Sequence, residues 1–262
     1  MPPLSSLTSS HDTVVAALRA AGCVFAEDEA QLILGAARSS DELAAMVHRR
    51  AGGLPLELVL GWAEFHGLRI TVEPGVFVPR RRTEFLVEQA LAQAPGASVV
   101  VDLCCGSGAV GAALAAALGP IELHAADIDS AAVRCARRNV ASVGGHVHAG
   151  DLFEALPGEL RGRIDILAAN VPYVPTGEVG LLPAEARDHE PLVALDGGAD
   201  GLDVLRRVAA EAPRWLAPGG CLLVETSEAQ APAAVEAFTA GGLTTRLAVS
   251  EELYVTVVTG IR

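Results

Sequence analysis

The chain contains no lysine: its 19 basic side chains are all arginine, set against 32 acidic ones for a formal net charge of −13. With Ala, Gly, Arg and Pro abundant, this absence reads as the mark of a GC-biased coding sequence. The acidic balance argues against unassisted binding to a nucleic-acid backbone and leaves that role only to a local Arg cluster. Aromatic residues make up only 4% of the chain, and no basic or aromatic-rich stretch offers the extra domain with which enzymes grip nucleic acids. Cys23, Cys104, Cys105, Cys135 and Cys221 form no CxxC pair, and no His cluster lies at ligand spacing, so no metal site is expected. An odd cysteine count without a framework reads as reduced and cytosolic. No apolar run reaches the length of a membrane span, and the N-terminus shows neither the basic nor the apolar region of a secretory signal. Internal repeats and low-complexity tracts are also lacking.

The length, 262 residues, suits one large domain or a large and a small one. Residues 1–62 carry helical periodicity in short pieces, at Val14-Val15-Leu18, Ala30-Leu32-Ile33-Leu34 and Leu43-Met46-Val47, with a helix start at Ser40. This predicts a small helical domain. Residues 63–75 read as a tight β-hairpin linker closed by Glu73-Pro74-Gly75. From residue 76 to 262 strands and helices alternate. Strands are expected at Val99–Val101, Ile121–Ala126, His146–Ala149, Ile164–Ala169 and Gly220–Glu225, with helices at Ala109–Leu118, Ser130–Val140, Leu202–Trp215 and Ala229–Ala240. A long loop separates Ala169 from Leu202. Two closing strands, Leu243–Val249 and Leu253–Thr259, are placed to pair antiparallel. The fold class is α/β, with a mostly parallel, doubly wound sheet covered on both faces. Trp62 and Trp215 are read as core.

Two constellations carry chemistry. Asp102-Leu103-Cys104-Cys105-Gly106-Ser107-Gly108 follows the first strand of the large domain and opens its first helix, the turn where doubly wound sheets bind ligands. Asp127 ends the second strand, where a carboxylate accepts from ribose hydroxyls. Asp151-Leu152 follows the third and suits an adenine amino group and face. The same glycines half-match GxGxxG, so a nicotinamide enzyme is a rival, and the aspartates also suit helix caps, Asp129 above all. The second constellation is Asn170-Val171-Pro172-Tyr173 after the fourth strand. A planar NH₂ group is a poor nucleophile because its lone pair is delocalised. The Asn170 side-chain oxygen and the Val171 carbonyl are two fixed acceptors able to draw its N–H bonds out of conjugation, with Pro172 stiffening the turn. Such a tetrapeptide marks methyltransferases acting on planar nitrogen, and in this order the two constellations favour S-adenosylmethionine over NAD.

With these residues in place the chain resembles the protein glutamine N5-methyltransferase (HemK-like) family, whose members modify the Gly-Gly-Gln loop of peptide-chain release factors. Phe77-Val78-Pro79-Arg80 with Thr83-Glu84 is similar to the family's Ile-Pro-Arg-x-x-Thr-Glu, Asp102–Gly108 to its glycine loop, Asn170–Tyr173 to its Asn-Pro-Pro-Tyr, and His189–Leu195 to its Glu-Pro-x-x-Ala-Leu. The resemblance implies a class I methyltransferase domain with a seven-stranded sheet and C-terminal hairpin behind a helical substrate-recognition domain. It implies S-adenosylmethionine as cofactor, held by Asp102, Cys104, Cys105, Gly106, Ser107, Gly108, Asp127, Asp151, Leu152 and Asn170, without metal. Catalysis would fall to Asn170, Val171, Pro172 and Tyr173, and substrate binding to Pro79, Arg80, Thr83, Asn170, Tyr173 and Glu190. The expected partner is a release factor in the cytoplasm, with no nucleic acid or membrane. Four departures stand out. Cys104 replaces a glycine, and Val171 replaces a proline. Arg81 and Arg82 stand where the family usually has Pro and an acid, and the run Arg80-Arg81-Arg82 reads equally as a contact for an acidic partner or phosphate and as a solvated helix start. The helical region is short, and Leu56–Leu58 lacks the expected Gln-Tyr. Two other readings stay open: an N6-adenine or N4-cytosine methyltransferase of DNA or RNA, and a degenerate module that binds cofactor or partner without turnover.

Overall fold

A computed structural model describes residues 4–262, with side chains from His11 onward. Helices α1 (Leu4–Ala20), α2 (Ala26–Ala36), α3 (Ser40–Ala51) and α4 (Leu56–Leu60) come first. Their apolar faces close on a small core of Val14, Val15, Leu18, Ala30, Ile33, Met46 and Val59. Ser39 rather than Ser40 caps α3, its hydroxyl accepting from the Glu42 N–H at 3.1 Å. Strands β1 (Trp62–Phe65) and β2 (Leu68–Thr71) pair antiparallel across His66-Gly67. Both turn residues have positive φ (49° and 73°), the conformation that matches a two-residue turn to the strand twist. Trp62 departs from expectation: it is half-buried on the hairpin, under the Arg69 guanidinium at 4.0 Å, whereas Trp215 is core and stacks on Phe153.

The large domain runs α5 (Glu84–Gln93), β3 (Val99–Leu103), α6 (Ala109–Leu118), β4 (Glu122–Asp127), α7 (Ser130–Asn139), β5 (His146–Ala149), β6 (Ile164–Ala169), α8 (Ala184–His189), α9 (Asp203–Glu211), β7 (Leu216–Thr226), α10 (Ala231–Ala240), β8 (Thr244–Ser250) and β9 (Val255–Ile261). Its sheet has seven strands in the order β5-β4-β3-β6-β7-β9-β8. Strands β5 to β7 are parallel and β9 pairs antiparallel with both β7 and β8. Every residue of β3 is buried because helices cover both faces of the sheet. The expected helix over 202–215 is shorter, since Pro213 tightens its end into a 3₁₀ turn at Ala212–Arg214. The long loop after β6 holds structure of its own: α8 and 3₁₀ turns at Thr176–Leu181 and Leu192–Ala194.

Arg50, from α3, ties the helical part to the large domain. Its guanidinium bonds Glu29 of α2 at 2.5 and 3.0 Å and Glu185 of α8 at 2.6 Å. From β3 the chain winds outward through β4 and β5, then returns to lay β6 on the other side. A doubly wound sheet opens its ligand crevice at that reversal, beyond the carboxyl ends of β3 and β6. Among the described residues no helix is long and apolar enough to cross a membrane.

Candidate active site

A cleft of about 610 Å³ lies at this crevice. Of the expected cofactor, catalytic and substrate residues, only Gly108 does not line it. Gly108 begins α6 with φ +78°, and a Cβ there would stand 3.1 Å from the Ala136 side chain, so it serves the packing of α6 against α7.

The loop after β3 is held from behind. Asp102 is 1% exposed and accepts from the Gly111 N–H at 2.8 Å, which fastens the first turn of α6 to the end of the strand. Burial pushes its carboxyl up to about 8. Cys104 takes φ +57° in the place of the expected glycine, so the loop keeps a left-handed residue at a cost of about 1–2 kcal/mol. Burial also raises the Cys104 and Cys105 thiols, making them inert packing groups. Asp127 reaches across from the end of β4. One oxygen accepts from the Gly106 N–H at 2.8 Å and the other from the Asp129 N–H at 2.9 Å, while burial raises its carboxyl. Asp129 is the N-cap of α7, accepting from Ala131 at 2.7 Å. Asp151 Oδ2 accepts from Arg207 of α9 at 2.7 Å, and Leu152 follows with φ +48°.

On the opposite wall β6 ends at Ala169 and the chain turns through Asn170 to Tyr173. Val171 and Pro172 are buried. The Asn170 Oδ1 is itself buried and has no hydrogen-bond donor in the protein. A buried acceptor without a partner costs about 1–3 kcal/mol, which a fold tolerates where a ligand supplies the donor. Three more such atoms belong to cleft residues: Thr83 Oγ1, Glu190 Oε2 and Glu225 Oε2. The tetrapeptide is pinned from outside, with the Tyr173 carbonyl accepting from Gln230 Nε2 at 2.8 Å and the Val174 N–H donating to Leu195 at 3.0 Å. Glu190 is seated by Arg80 at 2.6 Å and by the Val78 N–H at 3.3 Å, which brings the Val-Pro-Arg and His-Glu-Pro segments together. Arg80 and Arg82 line the cleft, whereas Arg81, exposed like Arg82, does not.

Seven carboxyl groups line the cleft (Asp102, Asp127, Asp129, Asp151, Glu185, Glu190, Glu225) against three guanidiniums, Arg80, Arg82 and Arg207. Each guanidinium is already paired with one of those acids. No unpaired cation among the described lining residues offers itself to a phosphate. Reading the sequence missed Arg207, Glu225 and Gln230, and singled out Arg82 only as a departure from the family pattern and a member of an arginine run. Only Glu225 left a signal there, as the acid closing an apolar strand. Among the described residues there is no cluster of three or more His, Cys, Asp or Glu fit to hold a metal ion.

A doubly wound sheet closed by an antiparallel hairpin, a glycine loop after β3, an acid at the end of β4 and an Asn-x-Pro-Tyr turn after β6 define a class I S-adenosylmethionine-dependent methyltransferase. Residues 67–181 match the methyltransferase small domain family. A release factor glutamine methyltransferase from Geobacter sulfurreducens is 41% identical, over 77% of this chain and 72% of its own. One from Mycolicibacterium smegmatis is 38% identical over 91% of both chains. The crystal structure of a methyltransferase from Pyrococcus furiosus shares the fold, with a TM-score of 0.56 at 15% identity, covering 85% of this chain and 98% of that one. The chain belongs to the release factor glutamine methyltransferase family.

Proposed function

We propose that the protein transfers a methyl group from S-adenosylmethionine to the side-chain amide nitrogen of a glutamine in a peptide-chain release factor, in the cytoplasm and without a metal. The observation that carries this reading is the unpartnered, buried Asn170 Oδ1 on the cleft wall at the end of β6. A primary amide brings the N–H donor that this atom lacks.

The residues present fit the cofactor. Each Asp127 oxygen accepts one backbone N–H and keeps a second lone pair for a ribose hydroxyl. Asp151 Oδ2 is taken by Arg207, which leaves Oδ1 for the adenine amino group, and Leu152 gives the base an apolar face. Backbone at Cys104, Cys105, Gly106 and Ser107 lines the remainder, with Asp102 anchoring it from beneath. When bound, S-adenosylmethionine supplies an electrophilic methyl group.

The chain's own residues do the rest. Asn170 Oδ1 and the Val171 carbonyl accept the two N–H bonds of the substrate amide and turn its lone pair out of conjugation. Val171 in place of proline leaves that carbonyl in position. Pro172 stiffens the turn and Tyr173 flanks the slot. Pro79, Arg80, Thr83 and Glu190 form the side from which the substrate enters, and Thr83 Oγ1 and Glu190 Oε2 are acceptors without donors of their own. The proton shed by the nitrogen passes to water or to Asn170. Position and fixed dipoles supply the acceleration.

The acidic cleft, with every guanidinium paired, favours a peptide rich in N–H donors over a phosphate backbone. The test is methyl incorporation from labelled S-adenosylmethionine into release factor, into release factor with the loop glutamine replaced, and into oligonucleotides. Labelling of the first alone is expected. Labelling of oligonucleotides alone would make this a nucleic-acid N-methyltransferase, and no labelling with cofactor bound would make it a binding module.

A further inference from the structure

Tyr173 is tethered at both ends, and the tether on its hydroxyl comes from residues that sequence proximity does not connect. Arg82 lies in the 3₁₀ turn before α5, and Glu225 lies near the end of β7. Arg82 Nη2 donates to the Tyr173 hydroxyl at 2.5 Å, and Arg82 Nε donates to Glu225 Oε1 at 3.0 Å. The Tyr173 hydroxyl donates to the same Oε1 at 3.1 Å. The guanidinium carbon stands 5.9 Å from the centre of the tyrosine ring. Arg82 occupies a position where the resemblance expects an acid, so this closed triangle belongs to this chain's own sequence.

We propose that Arg82 and Glu225 are positioning residues for methyl transfer, holding the Tyr173 ring as a fixed wall of the amide slot. The inference rests on the proposed slot at Asn170–Tyr173. The backbone end of Tyr173 is pinned by Gln230 at 2.8 Å, so the hydroxyl tether decides whether the ring can swing. The Glu225 side chain is only 2% exposed, and a carboxylate that deep needs its cation to stay in place. Burial and the Glu225 charge both raise the Tyr173 hydroxyl, while Arg82 opposes them, so the phenol stays a neutral donor to Glu225. A reacting amide tolerates little displacement: about 1 Å costs on the order of 100-fold in rate. A ring free to rotate widens the slot without removing any acceptor. The expected signature is thus a fall in kcat with cofactor binding intact.

The experiment uses the full chain with Arg82→Met, Arg82→Lys and Glu225→Gln, each alone and combined with Tyr173→Phe. Readouts are single-turnover methyl transfer, calorimetric affinity for S-adenosylhomocysteine, and the Cζ resonances of ¹³C-labelled tyrosine. The chain has only two tyrosines, and Tyr254 is 93% exposed, so a Tyr254→Phe variant assigns both signals. Arg82→Met should slow transfer about tenfold with KM changed less than about threefold, and Arg82→Lys should recover most of the loss. In the Tyr173→Phe background the same substitution should change the rate less than about twofold, because the shared partner is gone. Arg82→Met and Glu225→Gln should each shift the Tyr173 resonance and leave that of Tyr254 in place. Additive rate losses, or an unmoved Tyr173 resonance, would overturn the proposal. So would a loss of S-adenosylhomocysteine affinity in Glu225→Gln, which would make Glu225 a cofactor ligand. The resonance needs no substrate, so it decides the tether even if the wild-type chain transfers no methyl to glutamine.

Discussion

Truncating Asn170 to alanine separates chemistry from folding, because its Oδ1 has no protein partner to lose. Burying that acceptor unpaired costs the empty protein about 1–3 kcal/mol, and removing it returns that cost against a little lost packing. Folding stability should therefore hold within about 1 kcal/mol or rise, a change of melting temperature of roughly 2–4 °C for a chain of this size. Methyl transfer should behave in the opposite way. In the proposed mechanism the N–H bonds become more acidic as the amide nitrogen commits its lone pair, and their hydrogen bonds to Asn170 and Val171 strengthen, so the loss falls on kcat more than on KM. Losing one of two fixed acceptors is comparable to losing one oxyanion-hole donor, about 10²–10³ in rate or about 2.7–4 kcal/mol. The measurement is single-turnover transfer to release factor beside a thermal melt and S-adenosylhomocysteine titration of the same variant. A variant as fast as wild type, with cofactor affinity intact, would strip the mechanism of its central residue. A melting point many degrees lower would show that Asn170 holds the fold rather than the substrate.

Asp127→Ala should weaken S-adenosylmethionine binding by about 1–3 kcal/mol, since it removes the acceptors proposed for the ribose and frees the Gly106 N–H that shapes the loop; unchanged calorimetric affinity would take Asp127 out of the site. Arg50→Ala leaves Glu29, 8% exposed, without its guanidinium, and should cost about 3–5 kcal/mol in denaturant unfolding and loosen the link to α8; a loss under about 1 kcal/mol would show that the pair is dispensable. The raised Asp102 carboxyl gives a pH dependence of definite sign. Between about 4, where the unfolded chain releases this proton, and about 8, where the folded chain does, the native state holds the extra proton, so stability falls as pH rises. Asp102→Asn keeps an acceptor for Gly111 and should flatten the unfolding free energy against pH by up to about 1.4 kcal/mol per unit near pH 6; an unchanged slope would refute the shift.

The sequence by itself carried the order of elements and the two walls of the cleft. Strand–helix alternation, the glycine loop opening α6, Asp127 at the tip of β4 and Asn170–Tyr173 behind β6 are local patterns, in which neighbours along the chain define both the element and the residue at its end. They were legible because the period of burial and the chemistry of turns are written over a few residues. Boundaries at Leu202–Trp215 and Gly220–Glu225 were less so, because Pro213 tightens the end of α9 and pairing to β6 and β9 extends β7 to Leu216 and Thr226. Tertiary structure alone decided the charge state of the cleft. The partners of Arg80, Arg82 and Arg207 lie 110, 143 and 56 residues away in sequence, so all three cleft arginines are neutralised in space by acids that nothing local assigns to them. Arg80-Arg81-Arg82 read equally well as a contact for an acidic partner and as a solvated helix start. The fold pairs its first and last members with buried glutamates, Glu190 just after α8 and Glu225 near the end of β7, because the cleft beyond the strand ends gathers these segments. A side chain's type is local, whereas its partner is set by which strand ends the topology gathers, and only the folded chain determines that.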